Sequence, residues 1–498
     1  MTRTRTRSRT LSRLVPLLAG AVLAAGPVRA EPVSRAQVSR AQLSRAQVEA
    51  VLPALDAQAA KAVADGLVPG LAIAVVQGDA VLFAKGYGRR EEGRPGAVDA
   101  DTVFQLASFS KPITATVVAA LVGDKLLDWD TPVAALDPSF QLKGAYPTQQ
   151  VSVRDLLSHR SGLPGDAGNE LEALGYDRAT ILARLRLVPP SSSFRAGYSY
   201  SNFGFTAGAV AAAAPTGKPW EEVAKEKLFA PLGMASTSAR HADFIAHENR
   251  AELHIGGPGR WAAKVKRQPD AQAPAGGVSS NARDLAQWLR LELAGGMFDG
   301  RRLIPEAALA ATHQPVMARG ANPVTGAASF YALGWNVEYG RHGVSWGHAG
   351  AFSVGARTLV TIYPEADIGI VVLANAFPTG VPEGLADNFF DRVFDGKPGT
   401  DWMGPWNAAY EGMFAPAMAA AKARFAPPAA PMPAAPLAAY QGRYANAYVG
   451  AAQVAAAGEG LELRLGPDGQ ARFPLTHVNR DVFLYYPCLL YTSPSPRD

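Results

Sequence analysis

Strand patterning occurs at two widely separated ends of this chain with helical patterning between them, and that separation restricts its folds more than any other feature. Leu71–Val76 and Val81–Lys85 are short β-branched and apolar runs joined at Gly78-Asp79, a hairpin signal. Strand-like segments return only beyond Phe330, at Leu333–Glu338, Arg357–Tyr363 and Ile368–Ala374. The last two are joined by the turn Pro364-Glu365-Ala366-Asp367. Helices are expected over Val51–Leu67, over Ser108–Leu121 with Pro112 in the first turn, and from Val151 to Leu157. Most segments between Thr131 and Gly295 also read as helices separated by Gly/Pro loops. This order predicts the α+β class: an antiparallel sheet of sequence-distant strands, flanked by helices, with a mostly helical subdomain inserted. A parallel doubly wound sheet would need strand and helix to alternate throughout.

The flanks carry different signals. The formal charge is +5, but Arg3, Arg5, Arg7, Arg9, Arg13 and Arg29 lie in the first 30 residues with no acid among them, which leaves the rest at −1. Nucleic-acid binding therefore has no basic patch to rest on. The Arg-rich start, the apolar run Leu14–Ala25, and Val28 and Ala30 read as a signal peptide over 1–30, cut before Glu31. A periplasmic or secreted location follows, with no transmembrane segment after cleavage. Residues 31–52 form a low-complexity segment in which Val-Ser-Arg-Ala-Gln repeats with a period of five, matching neither helix nor strand, and a tether or frayed helix is expected. Residues 401–437 read as a helix, Asn407–Phe425, and a linker in which Pro427, Pro428, Pro431, Pro433 and Pro436 are interleaved with alanine. Residues 438–487 then form a small β-rich domain with strands at Tyr440–Tyr448, Leu461–Leu465 and Val482–Tyr486. The final stretch 488–498, CLLYTSPSPRD, resembles a translated sequencing adapter and reads as a scar that truncates this domain. Its Cys488 is the single cysteine, which excludes a disulfide framework and cysteine-based metal sites.

Three short motifs carry chemistry. In Ser108-Phe109-Ser110-Lys111 the hydroxyl and the amine lie three residues apart, on one face of a helix, and a lysine whose pKa is depressed by burial can act as a base. In Tyr200-Ser201-Asn202 a phenol can share a proton with such a lysine, and an amide can hold a substrate amide from both ends. In Trp346-Gly347-His348-Ala349-Gly350-Ala351 small residues surround one histidine at a strand edge, where backbone N–H groups can meet an oxyanion. Each motif alone more often has a structural explanation: a helix cap, a turn with a core aromatic, a satisfied histidine.

In this order the three motifs resemble the serine β-lactamase and penicillin-binding protein superfamily in its class C-like branch, over roughly residues 53 to 390. Leu156–Leu163 and Ala275–Ser280 match as well, and the hydrolase domain is expected over 53–400. The resemblance implies Ser108 as acylated nucleophile, Lys111 as its proton partner and Tyr200 as general base. It implies Asn202, His348 and Gly350 as substrate-binding residues, and the backbone N–H groups of Ser108 and Ala351 as the oxyanion hole. Neither metal nor cofactor is called for, and the implied partner is a small-molecule or short-peptide substrate; oligomeric state is left open. Where true class C enzymes carry Lys-Thr-Gly, this chain has His348-Ala349-Gly350, and an ordinary histidine is mostly neutral at pH 7. Ester or D-amino-acid amide hydrolysis is thus expected at least as much as penicillinase activity. Two alternatives stand beside this one: a catalytically weak protein that binds or senses cell-wall peptide, and an α/β-hydrolase using Ser345 in Gly343-Val344-Ser345-Trp346-Gly347. No His-Glu-x-x-His pattern supports a metallohydrolase.

Overall fold

A computed structural model describes residues 43–426 and 428–486; the expected signal peptide, most of the repeat, Pro427 and the stretch from Pro487 onward, with Cys488, lie outside the described residues. Helix α1 spans Arg45–Ala64 and begins inside the repeat, against the expectation of a tether there. The reason is local: Ser44 and Gln47 form a capping box. Val48, Leu55, Ala59 and Ala62 then fall on one buried face.

The central sheet has eight strands, all antiparallel to their neighbours: β1 (Gly70–Gln77), β2 (Ala80–Gly88), β3 (Met317–Ala321), β4 (Ala328–Tyr331), β5 (Asn336–Gly340), β6 (Gly343–Phe352), β7 (Ala356–Tyr363) and β8 (Ile368–Ala374). Their spatial order is β2-β1-β8-β7-β6-β5-β4-β3, so the two ends meet where β1 pairs with β8, Leu71 opposite Ala374. The sheet expected to unite distant strands is therefore present, with more strands than the pattern suggested. The segment expected as one strand, Leu333–Glu338, is a turn running into β5; the Ala332 N–H bonds the Trp335 carbonyl, and Gly334 supplies φ +79°.

Helices α2 (Ser110–Gly123), α3 (Val153–Leu157), α4 (Asn202–Ala213) and α5 (Ala282–Leu293) belong to the inserted block and its return to the sheet. On β1 the alternation is sharp: Ala72, Ala74 and Val76 join the core shared with α2, α4 and α5, whereas Leu71, Ile73 and Val75 join the core shared with α1 and α6 (Val381–Asp395). Burial of both faces explains why β1 reads as a continuous apolar run rather than an alternating one.

Beyond α7 (Met403–Phe425), the chain ends in a five-stranded antiparallel meander: β9 (Gly442–Asn446), β10 (Gly450–Ala457), β11 (Gly460–Leu465), β12 (Ala471–Asn479) and β13 (Val482–Leu484). The strands β10 and β12 escape a composition-based reading because one is mostly alanine and the other contains Pro474.

Candidate active site

Ser108 sits in a single 3₁₀ turn, Ala107–Phe109, at the head of α2. Ala107 is buried with φ +49°, a left-handed conformation unusual for a residue with a side chain. Three bonds hold that turn: Leu106 N–H to the Val278 carbonyl at 2.9 Å, Val278 N–H to Ser110 Oγ at 3.0 Å, and Thr358 Oγ1 to the Leu106 carbonyl at 2.6 Å. Strand β6 lies directly against it. A Cβ placed on Gly350 would stand 2.0 Å from the Leu106 oxygen and 2.9 Å from the Phe109 nitrogen. Strand β5 pairs with β6 only from Gly343 to Gly347, so from His348 onward that edge of β6 is free of a strand partner beside Ser108.

Lys111 is 0% exposed, and its Nζ has three polar neighbours: Ser108 Oγ at 3.2 Å, Asn202 Oδ1 at 2.7 Å and the Ala275 carbonyl at 2.9 Å. Burial holds its pKa well below the ordinary lysine value. A neutral amine has two N–H bonds and one lone pair. With two partners that can only accept, both N–H bonds are used, and the lone pair faces the Ser108 hydroxyl. The Tyr200 ring centroid lies 4.5 Å from Nζ, and the phenol interacts with the Ser108 side chain. Burial pushes that phenol above its usual range, so it is neutral and protonated at pH 7. Ser108, Lys111, Tyr200 and Asn202 are thus gathered at one point.

The Tyr200 loop is held by α3. Ser152 caps that helix, and the fully buried Asp155 carboxylate receives Arg160 Nε at 2.6 Å and an Arg195 terminal nitrogen at 2.7 Å. His159, with φ +59°, accepts the Ser201 N–H at Nδ1 (3.1 Å), and its carbonyl accepts the Ser199 N–H at 2.9 Å. The His159 ring stacks 4.4 Å from Tyr200 and 4.8 Å from Tyr331. Burial above all, with the Arg319 charge a lesser cause, holds the pKa of this imidazole well below its ordinary value. The matching segment Leu156–Leu163 is therefore the frame of the Tyr200 loop, and Ala275–Ser280 supplies the carbonyl that engages Lys111.

His348 and Gly350 differ from their expected part in substrate binding. His348 is 5% exposed; its Nδ1 donates to the Ala349 carbonyl at 2.8 Å, which leaves Nε2 to accept the Tyr331 hydroxyl at 3.1 Å. Burial pushes its pKa well below the ordinary value, so it is a neutral group spoken for on both nitrogens. Gly350 is needed because no side chain fits between β6 and the Ser108 turn. The cation that does face the phenol cluster is one the motifs missed: exposed Arg319 on β3, 5.6 Å from the Tyr198 ring centroid. It bonds Asn336 Oδ1 at 2.8 Å and Ser329 Oγ at 3.4 Å, and no carboxylate pairs with it among the described residues.

Ser345 lies mid-strand in β6, opposite Glu338 on an antiparallel neighbour, with no strand-to-helix elbow. It lines a cleft of about 450 Å³ that also takes in Arg319, His348 and residues of α6 and α7. One grouping among the described residues has metal-ligand spacing, His342, Asp391 and Asp395, and the Arg341 guanidinium already pairs with both acids. No helix among the described residues is long and apolar enough to cross a membrane.

Comparison with known proteins bears on the fold and the family. The profile of the family described as Beta-lactamase matches residues 55–389, and that of a "Domain of unknown function (DUF3471)" matches residues 426–486. "Penicillin-binding protein 4" of Amycolatopsis lactamdurans is 30% identical over 342 residues, covering 66% of this chain and 84% of the relative. "Unguisins hydrolase ungD'" of Aspergillus campestris is 29% identical over 411 residues, covering 76% of this chain and 72% of the relative. In fold, the octameric penicillin-binding protein homologue from Pyrococcus abyssi superposes with a TM-score of 0.58 at 20% identity, over 85% of this chain and 90% of that one.

Proposed function

The chain belongs to the beta-lactamase family of serine hydrolases and penicillin-binding proteins, and on that premise we propose that it hydrolyses an ester or a D-amino-acid amide or peptide through an acyl-Ser108 intermediate. The observation that carries this reading is the buried Lys111 Nζ, 3.2 Å from Ser108 Oγ and held by the Asn202 and Ala275 carbonyl oxygens; when that amine is neutral, its lone pair is left for the Ser108 proton. In this mechanism Lys111 takes the Ser108 proton as the Oγ–carbon bond forms, and the backbone N–H groups of Ser108 and Ala351 hold the tetrahedral oxyanion. The neutral Tyr200 phenol, rather than serving as the base, donates a proton to the leaving group and is reprotonated by the Lys111 ammonium; water then adds its hydroxyl to the acyl carbon and its proton returns to Ser108 Oγ, which releases the acid. Asn202 keeps its amide N–H₂ for the substrate while its oxygen holds Lys111.

Substrate preference follows from the neutral His348. Without a permanent cation at that place, a penicillin carboxylate loses a charged hydrogen bond of about 1.5–3 kcal/mol. An activated ester is expected to exceed a penicillin in kcat/KM by roughly tenfold or more. The names of the relatives, a hydrolase and a penicillin-binding protein, support a hydrolytic or penicillin-binding activity in general. Export through the Arg-rich start belongs to the same proposal, and the mature chain is expected to begin at Glu31.

Intact-mass analysis after treatment with a fluorophosphonate, a penicillin and an activated ester tests the nucleophile. One adduct is expected on the native chain and on Ser345→Ala, and none on Ser108→Ala. Adduct retained by Ser108→Ala and lost by Ser345→Ala overturns the assignment. An adduct that forms with every reagent and never releases favours the cell-wall binder over the hydrolase.

A further inference from the structure

The C-terminal β domain does not hang free on its proline linker. Its Tyr448–Gly450 turn is inserted against two short helices of the inserted block, Asn169–Ala173 and Arg178–Arg184. Tyr448 Oη accepts the Gly168 N–H at 2.9 Å, Tyr176 Oη donates to the Val449 carbonyl at 2.8 Å, and Arg184 donates to the Tyr448 and Val449 carbonyls at 2.9 and 3.1 Å. The fit is close: a Cβ on Gly450, at φ +95°, would stand 2.6 Å from Tyr176 Oη, and one on Gly466 would stand 2.3 Å from the Leu174 carbonyl. Leu174 buries itself against Leu465 and Phe473 of the meander.

The same two helices grip the loop that touches the catalytic amine. Glu172 receives Arg267 at 2.5 Å and also the Gln272 side-chain amide. Arg178 donates to the Asp270 carbonyl and, at 3.1 Å, to the Ala271 carbonyl. Residues Asp270–Gly277 form one continuous bend, and three residues after Gln272 comes the Ala275 carbonyl bonded to Lys111. A second contact runs through Gly168, where a Cβ would lie 2.7 Å from the ring of Phe203, the neighbour of Asn202 on α4. Both groups that occupy the N–H bonds of Lys111 are thus backed by elements that the β domain holds.

We propose that the C-terminal β domain is a buttress for the active site: its Tyr448–Gly450 turn fixes the two short helices, and through them the Ala275 carbonyl on Lys111. Tyr448 and Arg184 are positioning residues, acting through Glu172, Arg178 and the Asp270–Gly277 bend. The proposal rests on the hydrolase reading of Ser108 and Lys111 and gives the appended domain a part in it. Loosening the turn lets the bend relax and admits water to the amine, which relieves the burial that depresses its pKa.

The test uses the full-length protein with Tyr448→Ala and Arg184→Ala, one on each side of the contact, and Val482→Thr as a control at a solvent-exposed site of the same domain. The readouts are the pH profile of kcat/KM for a small activated ester, the separate kcat and KM, and the melting temperature. Both variants are expected to lower kcat by roughly tenfold or more with little change in KM, because a misplaced proton acceptor costs rate rather than binding. Both should also move the acid limb of the profile to higher pH, with Val482→Thr like the native protein. A lower melting temperature with kcat and the acid limb unchanged in both variants overturns the proposal, since a merely structural contact does just that. Labelling of Ser108 by a fluorophosphonate, run in parallel on Ser108→Ala, separates failure of the buttress from failure of the hydrolase reading.

Discussion

At the residue scale, the chemistry turns on whether Lys111 is an amine or an ammonium at working pH. Burial lowers its pKa, so the lone pair exists well below the range of an ordinary lysine and disappears as pH falls through the depressed value. The kcat/KM of the native enzyme is therefore expected to fall as pH drops through that depressed value, below the range of an ordinary lysine, and the raised Tyr200 phenol removes any alkaline limb near its usual pKa. Lys111→Arg keeps a cation but cannot supply a lone pair, and is expected to lose roughly a thousandfold or more in kcat when assayed with an activated ester. The sequence makes Ser108, Lys111, Tyr200 and Asn202 legible because their side chains are the chemistry. The Ala275 carbonyl is not legible in that way, since a main-chain oxygen leaves no mark on residue type, and His348 looks like a ligand until its two hydrogen bonds are seen.

At the scale of elements, the five-residue α3 is more important than its length suggests, because Asp155 on it ties Arg160 and Arg195 to the loop that bears Tyr200. Burial alone would raise the Asp155 pKa, but the bonds from Arg195, the Ser152 backbone and Arg160 outweigh it and hold it low. Its contribution to stability is therefore complete above the unfolded carboxylate pKa and is lost as pH falls through the depressed native value. Asp155→Asn is expected to cost about 2–3 kcal/mol at pH 7, somewhat less than a wholly buried pair because the two arginines reach solvent. It should also flatten the decline in stability between about pH 5 and pH 2, measured by urea unfolding. Gly350→Ala tests the approach of β6 to the Ser108 turn; with 2.0 Å to a backbone oxygen and no flexible neighbour to yield, loss of both soluble yield and acylation is expected. The strand reading succeeded at β1, β2, β7 and β8, where β-branched or large apolar residues run together, and missed β3 and β4, which are short, exposed or bulged and draw their order from pairing rather than composition.

At the scale of the whole molecule, the register of β1 with β8 joins residues from opposite ends of the domain, and the helical block lies within the long loop which that pairing closes. Contacts so distant in sequence are slow to form. Pulsed hydrogen exchange during refolding is expected to protect Gly70–Gln77 and Ile368–Ala374 in one late phase, after α2 and α5; early protection of either strand alone would contradict this order. The layered arrangement was legible from the placement of strand-like ends around a helical middle. The seating of the β domain was not, because it depends on a turn, two glycines and carbonyl acceptors that no periodicity reveals.

The three-point grip on Lys111 has a consequence for the history of each copy of the protein. Its two carbonyl partners come from α4 and from a bend some seventy residues later, and neither is in place until the helical block has closed. A chain not yet folded carries that same lysine as a fully hydrated ammonium, unable to accept a proton. The chemistry is thus silent until the fold is complete, and completing its own shape is the event that switches it on.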